Sequence, residues 1–273
     1  MKFISSALLA ISAVSAAVLT PRQDASQDQS QVLSQYPQGT DIGVVNGTWF
    51  VTGATQDVWN AFQFLNHTMN IDVGCVQVNA TTTSNTTFDG LVSAFLTHTN
   101  SNIGINASVA GSFMLKAPDS NTNTSDHTYL WDAYGSQIFV NKVSWENFTS
   151  NGQSNSNASD AGSAVIPGSQ PFEATVYSKL IDSNAQPGSN DSTNFDTVFL
   201  WSNDMKFLST NNQKRADKVY GIILSKTSSI GQDTFNKTVA LLPNAIAANN
   251  ISIVQIEDTC HTGDNNNNQQ QQQ

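Results

Sequence analysis

The stretch "GIILSKTSSIGQDTFNKTVALLPNAIAANNISIVQIEDTC", Gly221–Cys260, decides how the chain is read. It opens on an apolar strand that stops at Lys226, and a helix-length segment follows from about Ser228 or Ser229. Thr234, Phe235, Val239, Leu241, Leu242, Ala245 and Ile246 give that segment one apolar face, and Asp233 sits near its positive N-terminal end. Pro243 lacks an amide hydrogen and crowds the preceding turn, so the helix is predicted to stop or kink near Leu242. Ile251, Ile253 and Gln255 then alternate with Ser252, Val254 and Ile256 as a last strand that runs to Cys260. One helix between two strands, closing on a cysteine, is an unexpected ending for a chain whose other contents read as β-structure.

Working back from this ending, the chain is a series of short strand-like runs. "VVNGTWFVTGA" is β-rich, with bends expected at Gly47 and Gly53, and "QDVWNAFQFLNHTMNID" reads as a short helix or a long apolar loop. "CVQVNATTT" and "LVSAFLTHT" flank a turn-like "SNTTFDG" and predict a hairpin. "INASVAGSFMLKA", "TYLWDAYGSQIFVNKVSW", "FEATVYSKLI", "FDTVFLWSN", "MKFLSTN" and "KVYGIILSK" supply further strands, separated by clusters of Gly, Asn, Asp and Pro. Long polar insertions fall near residues 151–170 and 183–194. Eight to ten strands at this spacing, with few helical crossovers, imply an antiparallel barrel or sandwich.

Residues 1–17 have the layout of a secretory signal peptide: a lysine, an apolar run, then Ser15, Ala16 and Ala17. Residues 18–40 read as a disordered leader, 41–262 as the domain, and 263–273 as an Asn/Gln-rich disordered tail. Asn-x-Ser/Thr sequons occur at Asn46, Asn66, Asn79, Asn85, Asn106, Asn123, Asn147, Asn157, Asn190, Asn236 and Asn250. Together these features predict a secreted, extracellular glycoprotein with no transmembrane segment, one that could sit in a cell wall or matrix. A net charge of -10 argues against nucleic acid as a partner, since there is little basic surface to displace counterions from phosphates. Cys75 and Cys260 are the two cysteines, and in an oxidising compartment they point to a disulfide, with two free thiols as the alternative.

The order of these features resembles the lipocalin family, most of all its apolipoprotein-D-like members. Gly47-Thr48-Trp49 matches the family's opening Gly-x-Trp motif, "CVQVNATTT" its cysteine-bearing strand, and Gly221–Cys260 its closing strand, helix, strand and cysteine. Lys226 stands where the family has arginine. The resemblance implies an all-β fold: an eight-stranded antiparallel up-and-down barrel with one C-terminal α-helix packed on its outside. It also implies that Lys226 lies over Trp49 at the closed end, as a cation–π pair.

By the same resemblance the barrel is a calyx for a small hydrophobic ligand such as a fatty acid or sterol. Lining residues are expected among Phe113, Leu115, Trp131, Phe199, Trp201, Tyr220 and Ile222, with the hydroxyls of Tyr134 and Tyr220 available to a polar head. The alternative is a structural or surface glycoprotein whose barrel is filled. No catalytic residue, cofactor or metal is expected, and oligomeric state is left open. His127 and Asp126 read as solvated loop residues, and His261 beside Cys260 falls short of a metal-ligand set.

Overall fold

The computed structural model describes residues 29–37, 41–98, 103–136, 139–144, 164–165, 172–185, 194–203, 219–244, 246, 250–256 and 260. The expected signal peptide, the tail with His261, and the sequons at Asn147, Asn157 and Asn190 lie outside the described residues.

Eight strands close on themselves, each antiparallel to its neighbours: β1 (Gly47–Thr55), β2 (Ile71–Ser84), β3 (Thr87–His98), β4 (Ile103–Leu115), β5 (Thr128–Gly135), then β8 (Phe172–Ile181), β9 (Thr197–Ser202) and β10 (Tyr220–Ser225), which returns to β1. Between β5 and β8, the short strands β6 (Phe139–Ser144) and β7 (Ala164–Val165) extend the edge of β4. This is the eight-stranded antiparallel up-and-down barrel that the family resemblance implies; the strand spacing alone leaves a barrel or a sandwich open. Closure pairs the strands on both edges along most of their length, which suits strands this long.

Among the described residues three α-helices accompany the barrel: α1 (Gln29–Leu33), α2 (Gln56–Met69) and α3 (Gln232–Ala240). The C-terminal helix α3 starts at an N-cap Gly231, a few residues later than Ser228 or Ser229, and ends just before Leu241, Leu242 and Pro243, as the proline requires. It covers the outer face of the wall: Phe235, Leu242 and Ile246 form one apolar cluster with Phe199, Trp201, Tyr177, Ile181 and Ile223. Two glycines make this approach possible, since a Cβ on Gly53 would lie 2.8 Å from the Phe235 ring and one on Gly221 would lie 2.6 Å from the Phe199 ring.

Gly221→Ala is therefore expected to destabilise the protein by about 1–3 kcal/mol, the usual cost of overpacking a filled interior. Phe199 has no exposed surface, and the carbonyl of Leu200 stands only 3.2 Å from the same point, so the ring has little room to retreat. Urea unfolding checks this; an unchanged midpoint would mean that the ring moves aside freely.

The segment "QDVWNAFQFLNHTM" is helical over its whole length as α2. Val58, Phe62 and Leu65, at helical spacing, are all buried, while Phe64 on the opposite side is exposed. The helix ends at Asn70, whose left-handed backbone (φ 53°) lets its amide donate to the carbonyls of Asn66 and Leu65. α2 packs against β2, β1, β10 and β11 (Ile253–Gln255) at the end of the barrel where β1 finishes and β2 begins.

The opposite end, the base, is shut by the N-terminal segment, and here the expected leader is corrected. Residues 29–37 are ordered against the base: Val32 and Tyr36 belong to the main core. Tyr36 stacks on Tyr129 at 5.3 Å; its hydroxyl donates to the Lys116 carbonyl and accepts from the Leu130 amide, joining the end of β4 to β5. Burial pushes its pKa up to about 12, so the phenol stays neutral and can do both. A single tyrosine and two aliphatic residues in a Gln/Ser-rich segment carry too little apolar pattern to be read as structure from the chain alone.

Candidate functional site

At the base of the barrel, a 3₁₀ turn, Ile42–Val45, seats Ile42 and Val45 under Trp49, whose indole nitrogen donates to the Val45 carbonyl at 2.6 Å. Lys226 Nζ lies 5.2 Å from the centre of the Trp49 ring, the cation–π contact that the family resemblance implies. Above them the rings of Phe88 and Phe113 stack at 4.5 Å, Trp131 meets Phe88 edge-on at 5.0 Å, and Tyr129 lies beside Trp131. The Trp131 indole donates to Ser178 Oγ at 2.8 Å, so its polar atom is satisfied.

All these large side chains come from the base-side ends of their strands. Nearer the rim the inward positions mix small and large residues: Ala54, Ala94, Ala107, Ala133 and Ala174 stand among Leu96, Ile105, Ile222 and Tyr220, with Val92 and Val109 between the two levels.

Of the residues expected to line a calyx, Phe113, Leu115, Trp131, Tyr220 and Ile222 face the interior cluster. Phe199 and Trp201 do not: they point outward and stack at 5.1 Å under α3 and the wall it covers. The inward residues of β9 are Val198 and Leu200. Every residue of β9 is buried, because one face meets the interior and the other meets α3, so hydrophobic alternation carries no information about its register. Tyr134 also points outward, in antiphase to Tyr129, Trp131 and Ala133, so it is not available to an interior ligand.

A cleft of about 110 Å³ opens through the wall below α2. β1 pairs with β2 only through Gly47–Phe50; beyond that point the same edge of β1 pairs with β11 at Gly53–Thr55. β2 departs there, and a bulge between Gly74 and Gln77 puts Cys75 in a left-handed conformation (φ 45°) facing the last residues of the chain. The disulfide between Cys75 and Cys260 bridges the gap, with Cα atoms 4.3 Å apart. The cleft is lined by Val51 from the interior cluster, by Trp59 and Phe62 of α2, and by Val73 and Val76 of β2, with Gln63, Asn66 and Asp72 as its polar part. The spacing of hydrophobic residues held no sign of it, since it exists only where two strands part.

A second hollow, about 250 Å³, lies on the outside between the end of β8 and the end of α3. Asp126 there accepts from Lys179 Nζ at 3.0 Å and from the Thr128 hydroxyl, and His127, left-handed at φ 59°, packs edge-on against Phe195. These side chains are half-buried and paired, not solvated loop groups. Among the described residues, no group of three or more His, Cys, Asp or Glu could hold a metal ion, and no helix is long and apolar enough to cross a membrane. The described sequon asparagines at positions 46, 79, 85, 123, 236 and 250 are exposed, and Asn66 and Asn106 are half-buried. No protein-family model matches the chain, and no curated protein matches it.

Proposed function

We propose that this chain is a secreted, N-glycosylated, lipocalin-like barrel that binds and carries a small hydrophobic molecule and catalyses nothing. The make-up of the interior supports the reading most: rings pack the base, while five inward positions on the rim-side parts of the strands, Ala54, Ala94, Ala107, Ala133 and Ala174, carry only a methyl group. Small side chains on a curved wall leave apolar room, and an apolar ligand that enters it gains roughly 25 cal/mol per Å² of surface removed from water. Tyr220, partly buried at the rim end of β10, can offer a hydroxyl to a polar group. Secretion fits the signal-like residues 1–17, the accessible sequons and a disulfide that an oxidising compartment would preserve.

The second reading, a structural glycoprotein with a filled barrel, draws on the ring stack from Tyr36 through Tyr129, Trp131 and Phe88 to Phe113. Ala133→Leu separates the two. In a calyx the added side chain fills room, so stability is kept and uptake of a fluorescent lipophile falls at least about ten-fold. In a filled barrel the same change costs about 1–3 kcal/mol by overpacking, and neither protein takes up the probe.

A further inference from the structure

We infer that the cleft below α2 is the entry and head-group site of the ligand, and that it selects a lipophile carrying an ammonium group over one carrying a carboxylate. The inference rests on the container reading above and names the ligand class and its way in. Asp72 is the only charged residue among those that line the cleft. One of its oxygens, Oδ1, accepts from Asn66 Nδ2, which fixes the carboxylate at the outer margin; among the described residues Oδ2 has no partner. Trp59 lines the same cleft, half-buried, held edge-on to Phe62 at 6.4 Å.

A carboxylate and an indole converging on one space are the pair of groups that recognises a cation, the first by charge and the second by the negative face of its ring. A fatty acid head would meet Asp72 with like charge and find no lysine or arginine among the described lining residues to offset it. The rest of the lining continues the path inward: Val73 and Val76 are apolar, and Val51 belongs to the core cluster of the barrel. An aliphatic chain can therefore pass between the parted strands while its head stays at Asp72 and Trp59.

The test compares decylamine, 1-decanol and decanoate below their micelle concentrations, with binding to the full disulfide-bonded protein followed by calorimetry and by Trp fluorescence. Decylamine is expected to bind about ten-fold or more tighter than decanoate at pH 7, with 1-decanol between them. Asp72→Asn, an exposed and near-isosteric change, should remove most of the amine's advantage and leave 1-decanol unchanged; Trp59→Phe should weaken the amine more than the alcohol. If 1-decanol binds but decanoate matches decylamine, or Asp72→Asn treats all three alike, the head-group assignment fails while the container stands. If none of the three binds, the container reading fails and the assignment with it.

Discussion

The double variant Cys75→Ser/Cys260→Ser is expected to lose up to about 5 kcal/mol of stability, the entropy of closing so long a loop in the unfolded chain. The two cysteines lie 185 residues apart, so the bridge removes conformational freedom from most of the domain when it is unfolded. The folded state loses as well. β11 contributes three residues to the edge of β1, and just after it the Ile256 amide donates to the Thr52 carbonyl. Without the bridge, Cys260 is no longer tied to β2, and the gap between β1 and β2 is expected to widen. Urea unfolding of the oxidised protein and the serine variant, both made in the same host, measures the difference. A loss under about 1 kcal/mol would show that the unfolded chain is already compact enough to make the constraint redundant. The same variant should also lose its preference among head groups, because Cys260 and Ile256 form part of the cleft wall.

Trp131→Ala is expected to cost about 3–5 kcal/mol, the range for removing a large buried aromatic. Trp131 is 2% exposed and packs against the rings of Phe88 and Tyr129, so little around it can collapse into the vacated space. Its removal also leaves Ser178 Oγ, in a buried residue, without the indole donor. Trp131→Phe keeps most of the volume and loses the hydrogen bond and part of the packing, so a smaller loss of about 1–2 kcal/mol is expected for it. Thermal and urea unfolding of the two variants separate packing from hydrogen bonding. Equal losses would mean that the ring does little for the core. If the barrel is a container as proposed, the alanine variant should take up a longer lipophile than the parent does, because the vacated space lies inside the base.

The strands were legible because the barrel repeats one simple signal. Val78 and Ala80 flank Asn79, Val92 and Ala94 flank Ser93, and Ala107 and Val109 flank Ser108, while Gly, Asn, Asp and Pro mark the turns between strands. Where the outer face is also buried, that signal vanishes: β9 is apolar throughout, and Phe199 and Trp201 look the same as Val198 and Leu200 until α3 is in place. The contact of Lys226 with Trp49 was legible from order alone, through the likeness of both ends of the chain to a known pattern.

Local chemistry within the chain was enough to name an antiparallel β-domain, its closing helix stopped at Pro243 and the pairing of its two cysteines, because turns, amphipathic faces and thiols act over short range or come in a single pair. Which wall a side chain faces, how Tyr36 plugs the base, and how β11 displaces β2 from the edge of β1 to open a cleft beside Asp72 and Trp59 depended on elements far apart in the chain. A strand offers two faces and two edges, and only the neighbours that arrive from elsewhere settle what each of them meets.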